Sequence, residues 1–479
     1  MELRLPSTSG LFAPKSELRD ARSATIIGLH ALALLLFSWK PLIAGALLAV
    51  GFVLTFGLTR PIYLAAICVG MLWVNDLLAD FWPMTQYTAW KDVLLFIVIT
   101  GWAIRSVMLH QTPFPVSPIT LPLTLVLVMY LAMTTLSAST VQAALGLKAT
   151  VFYAMWYYIT SDIVRTKRDL ALLIGGIIFG VACMGVYNIW RYPQPIGAFP
   201  PTRLGKVLPG AAVVHWSGSA YLLPSGLLIG TAILGHVRGW LKAPLLIALL
   251  LGGVGIMLTN GRAQWFGMLV AFAVMGLSSG RLMTYAKMLV VVLIVSGIVQ
   301  TVLPIKLAER AVSAFSGEDV SRNAREAETW TVTIPFVLTH PFGAGTGSLT
   351  SAYSSKVWTK SSLDTVLRNG VIHNNILLVA IETGWLGAVA WIWFLIAAIL
   401  STWNAYRDTM DPFLRDIALG LFGVMVSYGV LNFFAPMTVA MLISFGFWVL
   451  VGLIPVIPEL DSQIQPEKSQ IRSLTATSG

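Results

Sequence analysis

The chain has 479 residues, of which 57% are hydrophobic and only 11% are charged, and its mean hydropathy is +0.79. Because a soluble domain usually carries about 25% charged residues, this composition excludes a soluble globular protein. It predicts an all-α polytopic membrane protein, since helices satisfy their own backbone hydrogen bonds in lipid.

The formal net charge of +10 would indicate nucleic-acid binding in a soluble protein. In a membrane protein, basic cytoplasmic loops explain most of it, with an anionic lipid-linked substrate as a second source, so we expect no nucleic-acid partner. Cys68 and Cys183 lie inside apolar runs, which excludes a disulfide framework and a cysteine metal site. The six histidines show no H-E-x-x-H spacing, so we expect neither a metal nor another cofactor.

The first segment, residues 1–22, is polar and of mixed charge, and no clear cleavage site follows it. We expect it to be a retained cytoplasmic tail. Apolar segments then follow along most of the chain, and a spanning helix needs roughly 20 such residues. They begin near Ala24, Pro41, Pro61, Thr88, Ile119, Val141, Leu170, Trp216, Ala243, Gln264, Tyr285, Ile376, Pro412 and Met437. Since several are short, we expect about 12 transmembrane helices, within a range of about 12 to 14.

Basic residues in short loops mark the cytoplasmic side of such a protein. They fall on alternate loops, at Arg60, Arg105, Arg165 with Lys167 and Arg168, Arg238 with Lys242, Arg281 with Lys287, and Arg407 with Arg415. We therefore expect a transmembrane bundle over residues 23–303, a periplasmic segment over 304–372, transmembrane helices over 373–457 and a second cytoplasmic tail over 458–479. Residues 194–215 and the tight turn at 260–262 then also face outward.

The outward segment contains one predicted helix and one predicted turn. Residues 321–338 show helical periodicity, with Trp330 on the apolar face. The pattern Gly343-x-Gly345-x-Gly347 follows it. No strand precedes these glycines and no lysine follows them, so we interpret them as a turn and not as a nucleotide-binding loop.

Three outward positions carry the residues that predict a function: Arg191, Arg262 and His373. Each has a structural alternative. Arg191 is also typical of an anchor beside interfacial aromatic residues, and a lone histidine most often has a structural role. A purely structural role is harder to assign to Arg262, because arginines are normally enriched in cytoplasmic loops and this one lies in a tight outward turn. Gly261 beside it also allows another group to approach the backbone closely.

Together the three residues predict a reaction with a diphosphate leaving group. Guanidinium groups bind phosphate oxygens bidentately and stay charged, so the arginines would stabilise charge on the diphosphate. His373 would accept a proton from a hydroxyl nucleophile, and its place at a helix N-terminus favours the neutral imidazole that a base needs. Arg203 is a weaker candidate, for widening an anion-binding entrance or merely solvating its loop, and Arg325 on the outward helix is a weaker candidate for contact with glycan or phosphate. Glu382, on the helix that follows His373, is not expected to act with it.

The motif around His373 resembles that of the O-antigen ligase and polymerase superfamily, also called Wzy_C. It reads His373-Asn374, nine residues, Gly384, two residues, Gly387. The segment Thr259-Asn260-Gly261-Arg262-Ala263-Gln264-Trp265 is similar to that family's Ser-Arg-x-x-x-Trp element, with Gly261 in the place of the serine. Residues 325–347 resemble the periplasmic approach to the histidine, and the whole match runs roughly from Ala243 to Gly387.

This resemblance implies a GT-C-like glycosyltransferase of the bacterial inner membrane with its active site on the periplasmic face. Such an O-antigen ligase transfers a polysaccharide from undecaprenyl diphosphate to lipid A-core, inverts the anomeric centre and uses no metal. His373 would be the catalytic base. The substrate-binding residues would be Arg191, Arg262, Trp265, Asn374, Arg203 and Arg325.

Four alternatives stay open on the sequence alone. An O-antigen polymerase and a protein O-oligosaccharyltransferase belong to the same superfamily, although the latter usually carries additional sequence after the His-Asn region. A transporter or flippase of lipid-linked glycan is of another class, and its usual paired repeats with broken helices are not apparent here. A scaffold in envelope assembly would tolerate alanine at all three positions.

Overall fold

A computed structural model of the chain describes residues 61–72, 90–108, 117–193, 222–259, 261–302, 333–349, 374–437 and 441–463, together with the single positions 51, 115 and 372. The chain forms two compact units. The first comprises residues 1–65 and 89–112, and the second comprises residues 66–88 and 113–479.

Every regular element in the described ranges is helical. The α-helices are α1 (Pro61–Leu72), α2 (Trp90–Met108), α3 (Thr120–Ala132), α4 (Thr140–Leu147), α5 (Tyr153–Ile163), α6 (Lys167–Arg191), α7 (Leu223–Ile233), α8 (Lys242–Leu258), α9 (Arg262–Ser279), α10 (Leu282–Val302), α11 (Ile334–Thr339), α12 (Asn375–Asp408), α13 (Pro412–Leu431) and α14 (Met441–Gly452). Short 3-10 turns lie at Met133–Leu136 and Gly239–Leu241, and a π-helical stretch at Lys148–Phe152 joins α4 to α5.

The helices support the predicted membrane architecture. Each apolar segment predicted from Pro61 onward contains a described helix, while of the first two segments only Gly51 is described. Within the described ranges, five segments are long and apolar enough to cross a membrane: Lys167–Arg191, Gly239–Leu258, Asn375–Asp408, Pro412–Leu431 and Ser444–Gln463. The protein is therefore an all-helical polytopic membrane protein, and the number of 12 spans stays a prediction.

Local sequence signals fix several helix starts. Thr166 and Asp169 form a complete capping box at the start of α6, which satisfies two backbone donors that a helix start leaves unpaired. Asp411 caps α13, whose first residue is a proline, and Asn374 caps α12. Each capping residue precedes an apolar run, so the starts of these helices can be predicted from the sequence.

Charged residues from separate loops meet at one end of the second unit, called here the basic end. Lys167 Nζ lies 2.6 Å from Asp411 Oδ2. Asp416 is buried, and its Oδ2 lies 3.0 Å from both His236 Nε2 and Arg281 Nη1. These contacts place several loops predicted as cytoplasmic at a common end, as the charge pattern predicts, and the side of the membrane that this end faces stays a prediction.

Helices α6 and α8 run parallel and pack closely through glycines. A Cβ on Gly252 would lie 2.4 Å from Val181 Cγ1, and a Cβ on Gly255 would lie 2.8 Å from Gly185 Cα. Small residues allow two backbones to approach in this way inside a membrane. Because both helices start at the basic end, both finish at the opposite end.

Helix α12 bends sharply at Gly384, where φ is +75°. Asn375 Nδ2 and Trp391 Nε1 both donate to Asn432 Oδ1, each at 2.9 Å. In a straight helix these two residues would lie about 24 Å apart along the axis. The first quarter of α12, residues 375–383, is therefore a separate arm that meets the rest of the helix at a steep angle.

Candidate functional site at the ends of five helices

Arg191 is the last residue of α6 and is 9% exposed. Its neighbour Trp190 is 43% exposed, and the ring centroids of Trp190 and Tyr187 lie 6.2 Å apart. A snorkelling anchor directs its charged group out toward water or headgroups, whereas this guanidinium faces the interior of the bundle. The burial therefore disfavours the anchor interpretation that the sequence left open.

Arg262 is the first residue of α9 and is half-buried. The turn before it is closed by two hydrogen bonds, from Gly261 N to Thr259 Oγ1 at 3.2 Å and from Trp265 Nε1 to Ile256 O at 2.9 Å. The indole N–H of Trp265 thus holds the turn in place, and a contact between its ring and a substrate stays a prediction.

Gly261 leaves room for the amide of Gln264. A Cβ at position 261 would lie 1.8 Å from Gln264 Oε1, and Gln264 is buried. The φ of Gly261 is −85°, so this glycine is required for space and not for an unusual backbone conformation. Gly261 stands where the motif it resembles has serine, and the Gln264 side chain fills the space that a serine side chain would take.

The two arginines lie at the same end of the unit. Asn188, one turn before Arg191, donates from Nδ2 to Gly255 O at 3.1 Å. Gly255 belongs to the last turn of α8, directly before the turn that leads to Arg262. The parallel packing of α6 and α8 thus brings the end of one helix beside the end of the other.

The start of α12 is tied to the end of α13. Asn375 N donates to Asn432 O at 2.8 Å, and its side chain binds Asn432 Oδ1. Asn432 Nδ2 in turn donates to Tyr428 O at 2.7 Å. Asn374 accepts from Leu377 N at 3.0 Å, so its side-chain oxygen already serves as the helix cap. A role of Asn374 in substrate binding stays a prediction.

The end of α13 is in turn packed against the start of α9. A Cβ on Gly267 would lie 3.2 Å from Ser427 O and 3.5 Å from Leu431 Cγ, and the rings of Phe266 and Phe434 meet edge-to-face at 6.3 Å. These contacts complete a chain of neighbours from Arg191 through Arg262 to the start of α12. This end of the unit is called here the site end.

The glycine-rich segment forms a turn, as predicted, and it braces the arm of α12. Gly343, Gly345 and Gly347 have φ values of +74°, +95° and +80°. Ala344 N donates to Ile381 O at 2.6 Å, and Trp385 N donates to Pro341 O at 3.0 Å. These two bonds satisfy backbone groups that the bend in α12 would otherwise leave unpaired.

The other side of this turn contacts the residues between α3 and α4. Thr346 N donates to Met133 O at 3.1 Å, and Ser137 Oγ donates to Thr346 O at 2.8 Å. A Cβ on Gly347 would lie 2.0 Å from Gln142 O. Glycine is therefore required here for both conformation and space, and the turn is a packed structural part of the site end.

Asn432 and Glu382 are buried polar residues of the site end that were not predicted as parts of the site. Asn432 is 1% exposed and receives the two donors that define the bend in α12. Glu382 is fully buried, and its Oε1 accepts from Leu349 N at 3.0 Å. An asparagine and a glutamate inside apolar runs are the sequence signal that could have identified them.

The remaining site predictions fall outside the described residues, namely His373, Arg203 and Arg325. Of the predicted helix 321–338, the structure describes residues 333–338, most of which belong to α11. Position 373 lies directly before the cap of α12 in the sequence, and its neighbour Ile372 is buried.

The N-termini of α9 and α12 lie at the site end, and neither has an acidic residue in its first turn. Their partial positive charge favours an anion, and Arg262 adds a full charge to one of them. Within the described ranges, no three His, Cys, Asp or Glu side chains are grouped so that they could hold a metal ion.

The search of curated proteins finds no match to this chain. The family comparison does find one, and it lies over the helices that build the site end, close to the bounds expected from the motifs. Residues 247–392 match the model of the family Wzy_C, described as O-antigen ligase, which is the family that the motifs around His373 resemble, and this matched segment is called here the Wzy_C domain.

Proposed function

We propose that the protein is a glycosyltransferase that moves O-antigen polysaccharide from undecaprenyl diphosphate to lipid A-core, on the periplasmic face of the bacterial inner membrane. The Wzy_C domain supports an O-antigen ligase or polymerase type of activity on lipid-linked O-antigen. The observation that carries the proposal is the meeting of three helix ends: the end of α6 with Arg191, the start of α9 with Arg262, and the start of α12 directly after His373.

In the proposed step, the oxygen of an acceptor sugar hydroxyl attacks the anomeric carbon of the donor glycan. The new C–O bond forms as the bond between that carbon and the diphosphate oxygen breaks, so the configuration inverts and the diphosphate leaves with the electron pair. His373 accepts the hydroxyl proton as the bond forms. The balance of atoms and charge needs no co-reactant, and we expect no requirement for metal.

The two arginines stabilise the leaving group. A diphosphate ester gains negative charge as the anomeric bond breaks, and fixed cations at that point lower the barrier. The buried position of Arg191 increases this effect, because electrostatic attraction is stronger where water is excluded. The N-terminus of α9 adds backbone N–H groups beside Arg262.

Purified full-length protein in detergent tests this proposal directly. Incubation with undecaprenyl-diphosphate-linked polysaccharide and lipid A-core should yield the joined product, and EDTA should leave the rate unchanged. Complete loss of product in EDTA would contradict the metal-independent step. Product made only of lengthened donor glycan would assign the protein to the polymerases.

Single variants test the named residues. His373→Ala should abolish transfer while donor binding is retained, and the control His340→Ala replaces an exposed histidine whose ring stacks on Phe336. Arg262→Ala should lower transfer at least about 100-fold, as expected for loss of one transition-state contact. Its control, Arg415→Ala, removes an exposed arginine from α13 near the basic end. Activity near that of the wild type in His373→Ala or Arg262→Ala would remove that residue from the site.

A further inference from the structure

A cavity of about 220 Å³ lies between α7, α8, α9 and α10, in the part of the bundle nearer the basic end. Its lining is apolar except for Thr231 and Lys287. It is separate from the residues of the site end that the proposed reaction uses, so a ligand in this cavity would serve another purpose.

The cavity opens sideways, toward the hydrocarbon of the membrane. Leu246 and Val291 both line it, and they are 44% and 51% exposed. The neighbouring side chains of Ile247 and Leu293 are apolar and exposed as well. A row of exposed aliphatic side chains on spanning helices is a lipid-facing surface, so an acyl chain can enter the cavity without crossing water.

Lys287 brings a positive charge into this apolar lining. A Cβ on Gly253 would lie 2.8 Å from a methyl of Val292, which sets α8 and α10 at a common level there. Counting back along the two helices at about 1.5 Å per residue, Lys287 lies about 7.5 Å and Lys242 about 16 Å nearer the basic end. Lysine side chains extend toward the interface, so the Lys287 side chain extends from the cavity lining toward the level of Lys242.

Further features mark this mouth as an interface with headgroups. Trp240 is 80% exposed and lies in the turn directly before Lys242, where an indole at the membrane–water boundary is typical. Within the described part of the chain, no carboxylate pairs with Lys287, Lys242 or Arg238. A cation at the edge of hydrocarbon is stabilised by an anionic partner, and the phosphate of a lipid is available at that depth.

We infer that this cavity is a specific binding site for an anionic phospholipid of the surrounding membrane, with one acyl chain between α8 and α10 and the headgroup phosphate at Lys287 and Lys242. The negative headgroup distinguishes this ligand from a zwitterionic lipid of the same chain length. Occupancy would join four helices of the bundle by filling the space between them.

Native mass spectrometry of the full-length protein, with phosphatidylglycerol or phosphatidylcholine of equal chain length added, tests this inference without glycan donor or acceptor. The wild type should retain phosphatidylglycerol about 25-fold better than phosphatidylcholine, since each of the two lysines contributes about fivefold. Lys287→Gln should reduce phosphatidylglycerol retention by about fivefold, the effect expected for one lysine near a headgroup. Arg407→Gln, which removes an exposed charge of α12 that does not line the cavity, should leave it unchanged.

A second pair of variants tests the position of the acyl chain. Leu246→Trp should block the cavity mouth and reduce retention at least about fivefold, whereas Ile247→Trp adds the same ring to an exposed residue outside the lining. Monodisperse elution of both variants controls for folding. Equal retention of both lipids, unchanged retention in Lys287→Gln and Leu246→Trp, or displacement of phosphatidylglycerol by an equimolar polyprenyl phosphate would overturn the inference. Because no transfer is measured, these outcomes are independent of the proposed glycosyl transfer.

Discussion

Replacing Asn432 tests whether one buried amide holds the start of α12 in place. Asn432 Oδ1 accepts from Asn375 Nδ2 and from Trp391 Nε1, so Asn432→Ala leaves two buried donors without this acceptor. Each such loss costs about 1–3 kcal/mol, which gives a decrease of about 2–6 kcal/mol in the free energy of unfolding. The arm that follows His373 also loses a side-chain tie, and we expect transfer to fall by about 10- to 100-fold.

Unfolding in a detergent–SDS series measures the change in stability, and product formation measures the change in rate. Asn404→Ala is the matched control, because Asn404 is an exposed asparagine of the same α12 helix near the basic end. A double-mutant cycle with Asn375→Ala should give a coupling of about 1 kcal/mol between the two side chains. A stability of Asn432→Ala equal to that of Asn404→Ala, or a coupling of zero, would refute the assignment of Asn432 as the tie.

Three further changes test other parts of the structure. Gly384→Ala places a Cβ at a φ of +75° and 2.3 Å from a backbone oxygen, so it should lower the unfolding temperature in detergent. Gly175→Ala, where nothing lies within 4 Å, should leave that temperature unchanged or raise it, since alanine favours a helix over glycine. Gly185→Val would force α6 and α8 apart, since a Cβ there lies 2.3 Å from a backbone oxygen of α8. Donor binding should weaken at least about tenfold, through a displacement of the arginine pair, and unaltered binding would show that this packing does not set the site. Burial raises the pKa of Asp411, but the hydrogen bond from Lys167 and the N–H groups of the following helix outweigh it and leave the pKa below its ordinary value. The ionised Asp411 carboxylate therefore stabilises the folded protein above the unfolded pKa of about 3.9, and this stabilisation is lost as the pH falls through the folded pKa. Because Lys167→Met lacks the pair, it should lose less free energy of unfolding than the wild type between about pH 5 and 3. Equal losses in the two proteins would contradict the pairing.

The sequence was sufficient to predict much of the architecture because the bilayer imposes simple rules. Long apolar runs predict spans, and the loops rich in lysine and arginine that the structure describes meet at one end through pairs such as Lys167 with Asp411. The Wzy_C domain was also predicted from short motifs, since His373-Asn374 and the two following glycines keep a fixed spacing.

The bend of α12 was not predictable from the same patterns. An isolated glycine within an apolar run is usually tolerated in a helix. Gly384 differs only because the turn that contains Gly343 fills the space that a Cβ on Gly384 would need. That contact joins positions far apart in the sequence, so no local pattern records it. The burial of Arg191 was not predictable either, because an arginine at a helix end beside aromatic residues is typical of an interfacial anchor. Only the packing of the neighbouring helices shows that its side chain is buried.

The bend divides α12 into two mechanical parts. Residues 385–408 alone extend about 36 Å, enough to cross a bilayer, and a helix of that length answers a change in membrane thickness by tilting. The arm is fastened at Asn375 through Asn432 and at Ile381 through the glycine-rich turn, and the same Asn432 also holds Trp391 of the long part. A tilt of the long part would therefore act on the same amide that holds the start of the arm.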